Sequence, residues 1–82
     1  MSRKEREVLV QHLYQAAFSV PREPRSPEYR RGVLDALRYR FGLTETLRLP
    51  EAFETGTAAA DAWFAGIEEG HARWREYAEK SS

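Results

Sequence analysis

The side chains in this 82-residue chain best suited to acid–base chemistry lie together in Glu68-Glu69-Gly70-His71. On a helix, neighbouring residues point about 100° apart, so these groups cannot converge on one substrate atom. His71 falls between Ile67 and Trp74 on an apolar stripe, where a histidine is expected to pack with one ring nitrogen satisfied. His12 is the only other histidine and there is no cysteine, so any metal site would need carboxylate help. The serines Ser2, Ser19, Ser26, Ser81 and Ser82 sit at termini, caps and loops rather than beside a base and an acid. No G-x-S-x-G, phosphate loop, dinucleotide fingerprint or H-E-x-x-H is present. The expectation is a protein without enzymatic activity, cofactor or metal.

What remains is charge that could meet a partner. Residues 1–48 carry ten Lys/Arg against six Asp/Glu, and residues 49–82 carry three against seven. The total cancels, which argues against the strongly basic footprint of a general nucleic-acid binder. Two surfaces are candidates. Asp61, Glu68, Glu69 and Glu76 would form an acidic face opposite the apolar stripe, with Glu68, Glu69 and Glu76 able to imitate phosphates on a basic host surface. Arg30, Arg31, Arg38 and Arg40, interleaved with Tyr29 and Tyr39, would form a basic alternative for RNA or an acidic protein. Asp35 lies one turn from both Arg31 and Arg38, so part of that charge should be paired internally.

Three helices are expected to carry these surfaces, over residues 3–18, 27–41 and 58–79, with irregular linkers at 19–26 and 42–57. The first begins with the Ser2/Glu5 capping box and buries Val10, Leu13, Tyr14, Ala17 and Phe18. The second begins at Ser26-Pro27-Glu28, a cap followed by proline at the first helical position, and buries Val33, Leu34, Leu37 and Phe41. Gly42 is placed to end it in the left-handed conformation. Between these two helices, Pro21, Pro24 and Pro27 stiffen a basic connector; Pro21 and Pro24 have the P-x-x-P spacing of an SH3-type ligand, but a short inter-helix loop is a poor context for one. In the second linker, Leu43, Leu47, Leu49 and Phe53 can tuck under the helices, and Pro50 to Phe53 can form one helical turn. Gly56-Thr57 marks the break and cap before the third helix.

The third helix organises the rest. Ala60, Trp63, Phe64, Ile67, His71, Trp74 and Ala78 recur at three- and four-residue spacings, which places them on one stripe. Trp63, Phe64, Ile67 and Trp74 are expected to meet Leu13, Phe18, Val33, Leu37 and Phe41. Beside the stripe, Ala62, Gly66 and Gly70 form a row of small residues for close helix packing, within the chain or in a homodimer. The fold class is therefore all-α: one domain, residues 1–82, with a long C-terminal helix packed on two shorter ones. No apolar run is long enough to cross a membrane and the first residues lack a signal-peptide core, so a cytoplasmic protein is expected.

Tyr29-Arg30-Arg31-Gly32-Val33 and Trp63-Phe64-Ala65-Gly66-Ile67-Glu68-Glu69-Gly70 each carry an aromatic residue three positions ahead of a helical glycine. This pairing resembles the ribosome modulation factor family and related small proteins of phages and mobile elements, over roughly residues 28–77. The resemblance implies two helices packed through these glycines and a ribosome- or RNA-associated role. Leu49-Pro50-Glu51 stands where that family has Cys-Pro-Tyr, and the family's net positive charge is absent. By type, a small, charge-balanced, cysteine-free helical chain also resembles phage-encoded inhibitors such as anti-CRISPR proteins. That likeness implies stoichiometric binding to a host protein or ribonucleoprotein complex in the bacterial cytoplasm.

Overall fold

The computed structural model describes residues 1–19 and 25–81 and contains three helices, α1 (Arg3–Ala17), α2 (Pro27–Arg40) and α3 (Ala58–Ser81). The Pro21/Pro24 connector lies outside the described residues. Each helix starts where its cap sits. The Ser2 hydroxyl accepts from the Glu5 amide at 3.1 Å, and the Glu5 carboxylate accepts from the Ser2 amide at 3.4 Å. The Ser26 hydroxyl accepts from the Tyr29 amide at 3.2 Å, ahead of Pro27. Thr57 does the same for Ala60 at 3.2 Å.

The end of α2 is a Schellman motif. Gly42 adopts φ +74°, its amide donates to the Tyr39 carbonyl at 3.1 Å, and the Leu43 amide donates to the Arg38 carbonyl at 2.9 Å. Leu43 then packs against Leu37, supplying the apolar contact that usually accompanies the motif. The turn thus aims the following chain back across the helix it has just left.

That direction matters because α2 and α3 run the same way. Tyr29 lies against Gly66, Ala36 against Gly70, Arg40 against His71 and Phe41 against Tyr77, so positions advance together along both helices. A helix of 14 residues is roughly 21 Å long, and the chain must retrace that length before α3 begins. The long linker is this return path. Its Leu47, Leu49 and Phe53 pack on Ala36, Trp63 and Ile67. The expected helical turn near Phe53 is a single hydrogen-bonded turn, Phe53 amide to Pro50 carbonyl at 2.9 Å, and no longer.

The contact between α2 and α3 is made by backbone. A Cβ on Gly32 would overlap the carbonyl oxygen of Trp63, and one on Gly66 would overlap the carbonyl oxygen of Tyr29. Each glycine therefore sits on the carbonyl of the aromatic that leads the other motif. A Cβ on Gly70 would come within 2.6 Å of the Ala36 methyl and 2.7 Å of the Val33 carbonyl oxygen. The small-residue row is filled from within the chain: Gly66 and Gly70 are buried under α2, while Ala62 is only half-buried at its margin.

Two apolar clusters flank this seam. Val10, Val33, Leu37 and Leu43 form one, with Leu13, Tyr14, Phe18, Phe41 and Trp74 around it, and α1 covers it. Ala36, Trp63 and Ile67 form the other, covered by the return loop. The long helix packs chiefly on α2 and only slightly on α1. The expected meeting of Trp63, Phe64 and Ile67 with α1 residues does not occur. Phe64 is 51% exposed and leaves the core altogether, lying edge-on to the Trp63 ring at 5.1 Å. Among the described residues, no helix is long and apolar enough to cross a membrane.

Candidate functional site

The outer side of α3 carries the first candidate surface. Asp61, Phe64 and Glu68 lie three and four residues apart, all exposed, and neither carboxylate forms an ion pair among the described residues. Glu69 and Glu76 differ: Arg73 reaches Glu69 at 3.3 Å and Glu76 at 3.8 Å. Glu69 is half-buried as well. The four acidic positions expected to act together therefore divide into an unpaired pair around Phe64 and a pair that Arg73 partly neutralises. The whole-helix charge pattern could not distinguish these two pairs. The Arg73 spacing of four and three residues could have done so.

The basic positions scatter. The Arg31 Nε lies 3.0 Å from both carboxylate oxygens of Asp35. Arg40 stacks its guanidinium 4.7 Å from the Trp74 ring centroid and donates Nε–H to His71 Nδ1 at 3.0 Å. Arg30 lies 5.3 Å from the Phe18 ring centroid, toward α1. Arg38 is half-buried and makes no ion pair among the described residues. Three of the four guanidinium groups thus serve contacts inside the chain, on three different sides of α2.

His71 is half-buried rather than central to the core, and one nitrogen is indeed satisfied, by Arg40. Burial, and then the Arg40 guanidinium, hold its pKa below the ordinary histidine value, with Glu68 opposing and Arg75 adding to the depression. The accepting Nδ1 requires a lone pair, so the neutral ring is the form that fits. Among the described residues, no group of three histidine, aspartate or glutamate side chains is placed to hold a metal ion.

One arrangement is not foreshadowed by motif or spacing. Asp35 Oδ2 accepts from the indole Nε1–H of Trp63 at 3.0 Å while holding Arg31, linking α2 to the buried ring of α3. The only sequence signal is that an indole expected in a core must find an acceptor. Next to this link, the return loop and α2 flank an open cleft of about 240 Å³ lined by Arg31, Asp35, Thr44, Thr46, Leu47 and Arg48. The chain matches no protein-family model, no curated protein and no solved structure.

Proposed function

We propose that the chain is a non-enzymatic binding protein that occupies a basic surface of another protein with the outer side of α3. In this reading it is a stoichiometric inhibitor of a bacterial host or defence complex, of the anti-CRISPR kind; the inhibitor part rests on likeness of type. The observation that carries the binding surface is Phe64, half-exposed between two unpaired carboxylates one turn away on either side. Aromatic anchors surrounded by polar contacts dominate protein interfaces, and Asp61 and Glu68 set the charge of what can sit there. The basic face of α2 supports its rival reading, a ribosome- or RNA-associated modulator, less well, because Arg30, Arg31 and Arg40 lie on three different sides of α2 rather than on one surface.

The test is site-specific photo-crosslinking in bacterial lysate with benzoylphenylalanine at position 64, and at positions 8 and 39 as exposed controls. The expected result is a discrete adduct from position 64 alone, competed by wild-type protein but not by the Asp61→Lys/Glu68→Lys variant. An adduct from position 39 only, or RNA binding that weakens steeply with salt, would replace this reading with the α2 one.

A further inference from the structure

We infer that the cleft between α2 and the return loop binds the oxyanion of a phosphate group. This site is independent of the α3 surface: it shares no residue with it and faces the loop side of α2.

The Asp35 carboxylate is committed twice over, to the Arg31 Nε–H and to the buried Trp63 indole. Its charge is spent holding Arg31, and the pairing is made through Nε alone, which leaves both terminal nitrogens of the Arg31 guanidinium with their protons. Across the cleft, Arg48 forms no ion pair among the described residues, and the hydroxyls of Thr44 and Thr46 have no partner among them. No backbone amide of residues 44–49 donates to a described residue either. Glu45, on the same loop, does not line the cleft, which Arg31, Thr46 and Arg48 line from exposed positions.

The lining is therefore rich in donors, and its two guanidinium groups against one carboxylate leave one net positive charge, carried by Arg48. A cation is repelled, and a neutral ligand would leave Arg48 uncompensated. A group with several unprotonated oxygens accepts from guanidinium and hydroxyl donors together, in charge-assisted bonds stronger than neutral ones. Size narrows the choice. At about 240 Å³ the cleft falls below the roughly 300–1,000 Å³ of sites that enclose drug-sized ligands. It suits one phosphoryl group with its carrier left outside.

The experiment is a ¹H–¹⁵N titration of the full chain with inorganic phosphate at ionic strength held constant with chloride, repeated with a nucleoside 5′-monophosphate. The expected result is a saturable shift confined to Arg31, Asp35, residues 44–48 and the Trp63 indole. Equal affinity in both arms means the free anion is read; tighter binding of the monophosphate means an ester is preferred. Arg48→Gln should weaken binding roughly ten- to a hundredfold, the loss expected of a charge-assisted bond, with the rest of the spectrum unchanged. Thr46→Val should weaken it less while preserving the same shift pattern. Shifts that chloride reproduces, or that persist unaltered in both Arg48→Gln and Thr46→Val, overturn the assignment.

Discussion

Replacing Gly66 with alanine tests the α2–α3 contact with two opposing effects of known sign. Inside an exposed helix the change would stabilise, by about 1 kcal/mol of helix propensity. Here the new methyl overlaps the Tyr29 carbonyl oxygen and lies 2.9 Å from its carbon and 3.0 Å from the Val33 nitrogen. All three atoms are backbone, so no rotamer change relieves the clash. The helices must part by about 1 Å, and a gap of that size forfeits a quarter to a half of each dispersion contact across the seam. Overpacking alone costs about 1–3 kcal/mol, and the loosened packing around Trp63 and Ile67 adds to it. The net expectation, after the propensity gain, is a loss of about 2–3 kcal/mol. For a domain of this size that lowers the melting temperature by roughly 10–20 °C. Thermal and urea melts followed by circular dichroism measure it, with Ala65→Gly on the exposed flank of the same helix calibrating propensity. Gly32→Ala should behave alike, and the double variant should lose less than the sum, because the first separation makes room for the second methyl. A Gly66→Ala protein stabilised by as much as Ala65→Gly is destabilised would refute the close approach.

Asp35→Ala should cost about 1–3 kcal/mol in urea melts, because the buried Trp63 indole loses its acceptor, whereas Asp35→Asn should recover part of that. Trp63→Ala should cost about 3–5 kcal/mol and Phe64→Ala within about 0.5 kcal/mol; equal losses at the two positions in thermal melts would contradict their opposite exposure. His71 has a lowered folded pKa, so its contribution to stability is present above the unfolded value near 6.5 and is lost as pH falls through the folded value. NMR titration of the His71 ring should show that pKa rising in Arg40→Gln, and the pH dependence of unfolding in this window should flatten in His71→Gln.

Much of the fold was legible because it is written in local chemistry. The starts of α1, α2 and α3 follow from Ser2, Ser26 and Thr57, and the end of α2 follows from Gly42, to within a residue or two. The return loop was legible only as an anomaly, a linker too long to be idle. Its reason is the shared direction of α2 and α3, a property of tertiary packing that no local pattern encodes. The candidate sites fared less well. Whether an exposed charge is paired depends on neighbours from other elements, and Arg40 finds His71 and Trp74 across 31 and 34 positions of sequence.

The misplacement of Phe64 has a specific physical source. Apolar periodicity centres the buried face of α3 on the large residues, near the line through Ala60, Ile67 and Ala78. The buried residues are Ala60, Trp63, Gly66, Ile67 and Gly70, and at 3.6 residues per turn their centre is rotated by roughly 50° toward the glycines. Counting hydrophobic side chains gives glycine no weight, yet the line of closest approach between two helices runs over the residues that have no Cβ. The interior glycines, unfavourable for the isolated helix, are the signal that this line passes through them. Once Gly32 and Gly66 exchange carbonyl contacts, α2 draws in Trp63 and Ile67 beside the glycine line and leaves Phe64, about 60° further round the same flank, exposed. The same two glycines that close the core therefore also expose the aromatic between Asp61 and Glu68, so the packing of α2 on α3 and the proposed docking surface stand or fall on one contact.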